Sequence, residues 1–334
     1  MTGGPRNTGD PSVPTSARGA DPIRVGISTC LLGEKVRFDG GHKLDQYAVG
    51  TLGRYVDWVP VCPELEMGLG VPREALRLIG DPEAPRLVTV KSRVDHTEGM
   101  LTWARDRVEQ LRGLALDGYI LKSKSPSCGM ERVRVYTEAG MPSRSGLGLF
   151  ARTLMDAMPL LVVEEEGRLN DPRLRESFVV RVFTHHRWRQ LTRDCVRPAH
   201  LVTFHARHKL LLMAHSEPHL RALGRLVARA RTESPGELLR QYAEGLFAGL
   251  RVKATTRKHT NVLQHIAGYL RESLDRRDRD ELHGTIADYH RGLVPLIVPL
   301  TLLRHYVGKL GLDYLRDQVY LDPHPKELML LNHV

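Results

Sequence analysis

Three short apolar runs in this chain each end in a cysteine with proline or glycine close by. Ile23-Arg-Val-Gly-Ile-Ser-Thr29 runs into Cys30 and then Leu31-Leu-Gly33. Trp58-Val-Pro-Val61 runs into Cys62 and then Pro63-Glu64. Gly118-Tyr-Ile-Leu121 runs into Lys122-Ser-Lys-Ser-Pro-Ser-Cys128-Gly129. Runs of this length read as buried strands, so each cysteine falls in a turn at a strand's carboxyl end. Open α/β sheets hold their ligands at that end. Three such ends can converge on one point, and we read Cys30, Cys62 and Cys128 as three ligands of one metal cluster.

Thiolates are soft ligands that select iron–sulfur, zinc or Cu(I). Structural zinc takes four ligands, often in close Cys-x2-Cys pairs, and no such pair is present. Three isolated thiolates suit a [4Fe-4S] cluster whose fourth iron stays open, a Lewis acid for a substrate atom. The spacing by itself also fits three buried, unreactive cysteines. Cys195, within Arg193-Asp-Cys-Val-Arg-Pro198, sits in an unlike setting and is expected to be structural. The close Cys-x3-Cys-x2-Cys spacing of radical enzymes that use S-adenosylmethionine is absent.

Four cysteines in 334 residues are too sparse for a secreted disulfide scaffold, and a reducing cytoplasm fits best. No charged segment followed by an apolar one opens the chain, so no secretory signal is expected. The longest apolar run, Leu293 to Leu303, is short for a membrane span and holds two prolines. The formal net charge of +10 permits an acidic partner, of which nucleic acid is the commonest.

Residues 1–22 are rich in Gly, Pro, Ser and Thr and read as a disordered tail. Over 23–170, short apolar runs at 23–29, 58–62, 86–90, 118–122, 132–136 and 159–163 alternate with helical stretches at Thr97–Ala115 and Leu147–Met158. That alternation predicts an α/β domain, Rossmann-like, with a mostly parallel sheet and helices on both faces. Asp171-Pro172 starts a helix that bridges 171–200. Over 201–334 strand signals vanish, and the pattern predicts an all-helical domain of five or six helices. Ser234-Pro-Gly-Glu237 reads as a capping box. A further helix closes at Pro295, and His265 reads as a core histidine.

Cys30-Leu-Leu-Gly33, Val36-Arg-Phe-Asp-Gly40, Val61-Cys-Pro-Glu64, Gly68-Leu-Gly-Val-Pro-Arg73 and Ser125-Pro-Ser-Cys-Gly129 together resemble the motifs of the thiouracil desulfidase family. The second half is similar to a companion helical domain, through Lys258-His-Thr-Asn-Val-Leu-Gln-His265 and Leu321-Asp-Pro-His-Pro-Lys-Glu-Leu328 among others. The arrangement resembles that of bacterial desulfidases that remove sulfur from 4-thiouridine in tRNA. The resemblance implies a [4Fe-4S] cluster held by Cys30, Cys62 and Cys128, with one iron open to a thiolated uracil base. It implies Glu64 as the catalytic acid/base, and an active-site serine at Ser125 or Ser127, with Ser125 preferred. By itself Cys-Pro-Glu64 is equally a helix-start carboxylate. Phe38 stands where relatives often carry Tyr, so a hydroxyl is lost there.

The helical half carries Arg251-Val-Lys253, Arg257-Lys-His259 and, read as a loop, Arg276, Arg277 and Arg279. Such residues suit tRNA phosphates or simply form a solvated face. Lys122 and Lys124 raise positive potential beside the proposed cluster. The rival readings are a desulfidase of free thiouracil or thionucleosides, and a non-enzymatic nucleic-acid-binding protein with structural cysteines.

Overall fold

A computed structural model describes residues 21–137, 140–193, 196–230 and 234–334. The expected tail lies outside the described residues as far as residue 20, and so does Cys195. The chain divides into two compact units between Ala157 and Met158.

The first unit runs β1 (Arg24–Ser28), α1 (Gln46–Gly50), β2 (Asp57–Val61), α2 (Pro63–Glu66), β3 (Leu76–Ile79), β4 (Arg86–Thr89), α3 (Thr97–Gly113), β5 (Gly118–Leu121), β6 (Val133–Tyr136), β7 (Pro142–Gly146) and α4 (Leu149–Ala157). β1 pairs in parallel with β2, Ser28 level with Val61, and with β5, Ile27 level with Ile120. β1 therefore lies between the other two, and all three carboxyl ends emerge along one edge. The pairing is close enough that a Cβ on Gly26 would run into the Tyr119 ring. Tyr119 packs on Phe150 of α4 at 5.9 Å, and Phe150 on Trp103 of α3 at 5.5 Å. α3 buries Met100, Ala104, Val108 and Leu111. α3 fills the predicted helical stretch but ends at Gly113, short of Ala115, which takes φ +53°.

The expected α/β domain with a parallel sheet is present, but the runs at 86–90 and 132–136 are not part of that sheet. They belong to a second one, ordered β4-β3-β6-β7, whose β3–β4 and β6–β7 pairs are antiparallel and whose β3–β6 pair is parallel. A short link between β3 and β4 permits only antiparallel pairing, since a parallel return needs a long crossover. β3 and β7 were not predicted. β7, Pro-Ser-Arg-Ser-Gly, carries no apolar side chain to signal a strand.

The second unit opens with β8 (Val162–Glu165) and continues as α5 (Pro172–Thr192), α6 (Pro198–His215), α7 (Glu217–Ala228), α8 (Pro235–Arg251), α9 (Thr256–Leu270), α10 (Arg276–His290), α11 (Ile297–Lys309) and α12 (Asp313–Arg316). The Asp171 side chain accepts from the N–H groups of Arg173 and Leu174, as a helix start with Pro172 requires. α8 begins at Pro235 as predicted, but the Ser234 side chain makes no cap. Glu237 is held by Arg240 at 2.6 Å instead of reaching back, so the capping box does not form. Arg276, Arg277 and Arg279 stand in the first turns of α10, capped by Asp275, rather than in a loop. α10 ends at His290, ahead of Pro295, and a separate helix, α11, follows with Pro299 in its first turn, where its missing N–H costs nothing. His265 is exposed and meets Tyr269 edge-on at 5.3 Å. The buried face of α9 is Val262, Leu263, Ile266, Ala267 and Leu270, which turns His265 outward.

His186 and His324 are among the buried histidines, but the largest shifts fall on three others, His208, His215 and His259. Burial lowers their pKa values from 6.5 to about 3, about 4 and about 3. A depressed histidine favours the folded state above the unfolded pKa, and that stability drains away as pH falls from 6.5 towards the folded value. Buried His324 is lowered as well, while Glu176, raised by burial from 4.5 to about 7, acts in the opposite sense. Between pH 6.5 and pH 5 the second unit is expected to lose stability at about 1.4 kcal/mol per pH unit for each of His208, His215 and His259. Denaturant titrations at pH 7.5, 6.5, 5.5 and 5.0 check this, and a flat or rising stability across that range contradicts it.

Candidate active site

Each cysteine is fixed by the turn that ends its strand. After β1 the chain tightens into one turn of 3-10 helix, Thr29–Leu32, which holds Cys30 and stops at Gly33 with φ +91°. Lys43 and Asp45 donate backbone N–H to the carbonyls of Cys30 and Leu31, both at 2.9 Å, and close the following loop. Cys62 is the N-cap of α2, with Pro63 in the first turn. Its N–H donates to Glu66 Oε1 at 2.9 Å, and Glu66 is held by Arg107 of α3 at 3.1 Å. Cys62 Sγ lies 3.9 Å from the carbonyl of Val36.

The third cysteine sits in the most constrained turn. Gly129 N–H returns to the carbonyl of Ser125 at 2.9 Å, and Cys128 N–H donates to Ser125 Oγ at 3.1 Å. The start of α4 then docks on this turn, because Leu149 and Ala151 donate N–H to the carbonyls of Pro126 and Ser127 at 3.2 and 3.1 Å. Those N–H groups would otherwise be the helix's unpaired donors. Gly148 permits the approach, since a Cβ there would stand 2.5 Å from the Ser127 carbonyl. Across the sheet edge, Lys122 N–H donates to Ser28 Oγ at 2.9 Å and ties the end of β5 to the end of β1.

Cys30, Cys62 and Cys128 all line one cleft of about 370 Å3, together with Glu64, Ser125 and Ser127. Burial pushes the Cys128 thiol up, opposed by the hydroxyls of Ser28 and Ser127, and burial raises the Cys62 thiol too. A metal's positive charge inverts that preference and holds thiolate. Among the described residues no three His, Cys, Asp or Glu side chains close on a single metal ion. The donor set is three thiols spread around a cleft rather than gathered at about 2.3 Å from one centre, as one zinc would need. It suits a group of several metal atoms.

Glu64, in the first turn of α2, has both carboxylate oxygens occupied. Oε1 accepts from Ser127 Oγ at 2.8 Å. Oε2 accepts from Arg73 Nε at 3.1 Å and pairs with Arg73 Nη2. Ser125, the serine preferred from the sequence, does not touch Glu64 directly. Its Oγ accepts from the N–H of Ser127 at 3.3 Å and of Cys128, and lies 2.9 Å from Ser127 Oγ. Ser127 spends its one proton on Glu64, so Ser125 donates to Ser127. Ser125 thus caps the turn and orients Ser127, which is the serine in contact with the carboxylate.

Arg73 was not singled out as a site residue. Its signal in sequence is its place at the end of the Gly68-Leu-Gly-Val-Pro-Arg73 motif, whose Gly68 and Gly70 take φ +97° and +70° in the loop after α2. Arg37, Lys43, Lys122 and Lys124 also line the cleft, where Glu64 is the one acidic side chain among the described lining residues. Phe38 lines it with its ring partly exposed, the Arg37 guanidinium 5.5 Å from the ring centre.

Comparison with known proteins agrees with these features. Residues 25–166 match the family model described as 2-thiouracil desulfurase, and 209–325 match that of DUF1722, a protein of unknown function. The chain is 32% identical over 163 residues to the uncharacterized protein YbgA of Escherichia coli (strain K12), covering 48% of this chain and 96% of that one. The chain belongs to this two-domain desulfurase family. A second relative of the desulfurase-family chain is the uncharacterized protein YbbK of Bacillus subtilis (strain 168), 30% identical over 153 residues, 43% of this chain and 97% of that one. A solved structure, the [4Fe-4S]-dependent thiouracil desulfidase TudS, is 28% identical with a TM-score of 0.37, covering 46% of this chain and 98% of its own. The cleft residues Ser28 to Cys128 all fall within the desulfurase match. No described helix is long and apolar enough to cross a membrane.

Proposed function

We propose that this chain is an iron–sulfur-dependent, non-redox desulfidase that converts the C=S of a thiolated uracil to C=O, consuming water and releasing hydrosulfide and a proton. The observation that carries this reading is the meeting of Cys30, Cys62, Cys128 and Glu64 in one cleft. The three cysteines would hold a [4Fe-4S] cluster as thiolates. A bound cluster with one iron free of protein ligands supplies a Lewis acid for the thiocarbonyl sulfur.

The remaining work falls to the chain's own side chains. Glu64, with hydrogen bonds donated to both its oxygens, is the base that takes a proton from the attacking water. A proton arriving on Oε1 reverses the bond to Ser127 and frees the Ser127 hydroxyl to donate into the cleft. There it stabilises charge that develops on the reacting carbon's substituents. Ser125 keeps Ser127 in place for both states. Ser127→Ala is therefore expected to lower kcat by about 10²-fold with the cluster retained. Ser125→Ala is expected to lower stability by about 1–2 kcal/mol, because it strips the acceptor from two backbone N–H groups. Steady-state sulfide release and thermal melts of the two variants distinguish these roles, and equal kinetic losses would remove the distinction.

For the substrate we propose 4-thiouridine in tRNA. The net charge of +10 and the cations around the cleft support a polyanionic carrier, with Arg251, Lys253, Arg257 and Lys258 of the second unit as candidates for phosphate contact. One observation favours a free thiobase instead: every residue lining the cleft comes from the first unit. Anaerobic protein assayed on 4-thiouracil and on 4-thiouridine-containing tRNA decides between them. The tRNA reading expects a higher kcat/KM on tRNA that falls steeply as salt rises, and equal, salt-insensitive values refute it. One equivalent of zinc and no acid-labile sulfide in the isolated protein would instead point to a nucleic-acid-binding module with structural cysteines.

A further inference from the structure

The motif Gly68-Leu-Gly-Val-Pro-Arg73 ends in a side chain that the chemistry above leaves without a task. Arg73 is an interior cation, its side chain 6% exposed, at the wall of the cleft. All three of its guanidinium nitrogens are engaged. Nε and Nη2 hold Glu64 Oε2, and Nη1 donates to the carbonyls of Val36 at 3.0 Å and Gly70 at 2.9 Å. Its own backbone N–H donates to the carbonyl of Phe38 at 2.9 Å. The guanidinium is thus anchored by the loop after β1 and by its own loop, and it presents a fixed face to one oxygen of one carboxylate.

We propose that Arg73 is the positioning residue for Glu64. A glutamate on a four-residue helix has three rotatable side-chain bonds, and nothing in α2 itself fixes its carboxylate. Arg73 removes that freedom by occupying Oε2 and leaves Oε1, beside Ser127, as the oxygen that exchanges a proton with the substrate side. A lysine cannot copy this, because a single ammonium lacks the flat fork that grips the carboxylate and the two carbonyls together. The inference deepens the desulfidase reading and rests on it.

The test uses the full-length, anaerobically reconstituted protein with wild type, Arg73→Gln, Arg73→Lys and Arg73→Ala. Iron and acid-labile sulfide in Arg73→Gln are expected to match wild type, with kcat lower by about 10²-fold and KM within about three-fold, since misplacing one catalytic group costs about that much. Arg73→Lys is expected to recover only a small part of the loss. In Arg73→Ala, added methylguanidinium is expected to restore rate in a saturable way, a response that a merely structural role does not give. A crystal structure of the Gln variant is expected to show Glu64 turned away from Ser127 or split between two orientations. Wild-type-like kcat in Arg73→Gln overturns the proposal and leaves the desulfidase reading intact. Loss of iron from every Arg73 variant without methylguanidinium rescue also overturns it, because Arg73 then merely braces the cysteine loops. Absence of sulfide release from iron-loaded wild type overturns both.

Discussion

Cys128→Ala is expected to leave a folded protein that no longer retains iron and acid-labile sulfide after anaerobic reconstitution. Sulfide release is expected to fall by at least about 10³-fold, since a Lewis acid at a thiocarbonyl is worth several kcal/mol of transition-state stabilisation. Two features make this the cleanest of the three cysteines to change. The thiol is buried in a turn whose backbone hydrogen bonds do not involve the sulfur and survive the change; the sulfur itself loses only weak contacts from the Ser28 and Ser127 hydroxyls, the latter at 3.8 Å. The void left by one sulfur atom is small, and the stability cost is expected near about 1 kcal/mol. Iron and sulfide assays with circular dichroism on the same sample test it. A variant that keeps its full iron complement would show that Cys128 is not a ligand, and the proposed chemistry would have no centre.

Glu64→Gln is the second large effect, and it should separate chemistry from assembly. The amide has the same shape, and its oxygen can still accept from Arg73 while its NH2 donates to Ser127 Oγ. The cluster is therefore expected to load as in wild type. What the amide cannot do is take a proton from water, and kcat is expected to fall by about 10²- to 10⁴-fold. The buried Arg73 loses its counter-charge, which is expected to cost about 1–3 kcal/mol of stability. Single-turnover sulfide release from iron-loaded variant and wild type is the measurement. A rate within a few-fold of wild type would remove Glu64 from the mechanism and return it to the bland role of an acidic residue at a helix start.

Several elements of the fold were readable because their signals are local. β1, β2 and β5 are short apolar runs that stop at turn residues, and α3 carries a 3.6-residue stripe. Other elements carried misleading signals or none. β7 has no apolar residue. His265 lies one position off the buried face of α9, and a step of about 100° moves it from core to solvent. Ser125 and Ser127 were equal candidates by type and neighbourhood. Only the direction of the turn, set by Gly129 and by α4 docking on its carbonyls, aims Ser127 at Glu64.

The same division holds for the site. The amino-acid order by itself determined which residues end the three strands, that those residues carry soft thiols, and that a carboxylate follows the second of them. These are properties of neighbours in the chain. Tertiary structure alone decided that β1 lies between β2 and β5, so that three distant thiols share a cleft, and that Arg73 and Ser127 grip opposite oxygens of Glu64. Contacts of that kind join residues far apart in sequence. Which of them form depends on how sheets, helices and loops fill space together, through steric and hydrogen-bonding constraints that no local pattern encodes.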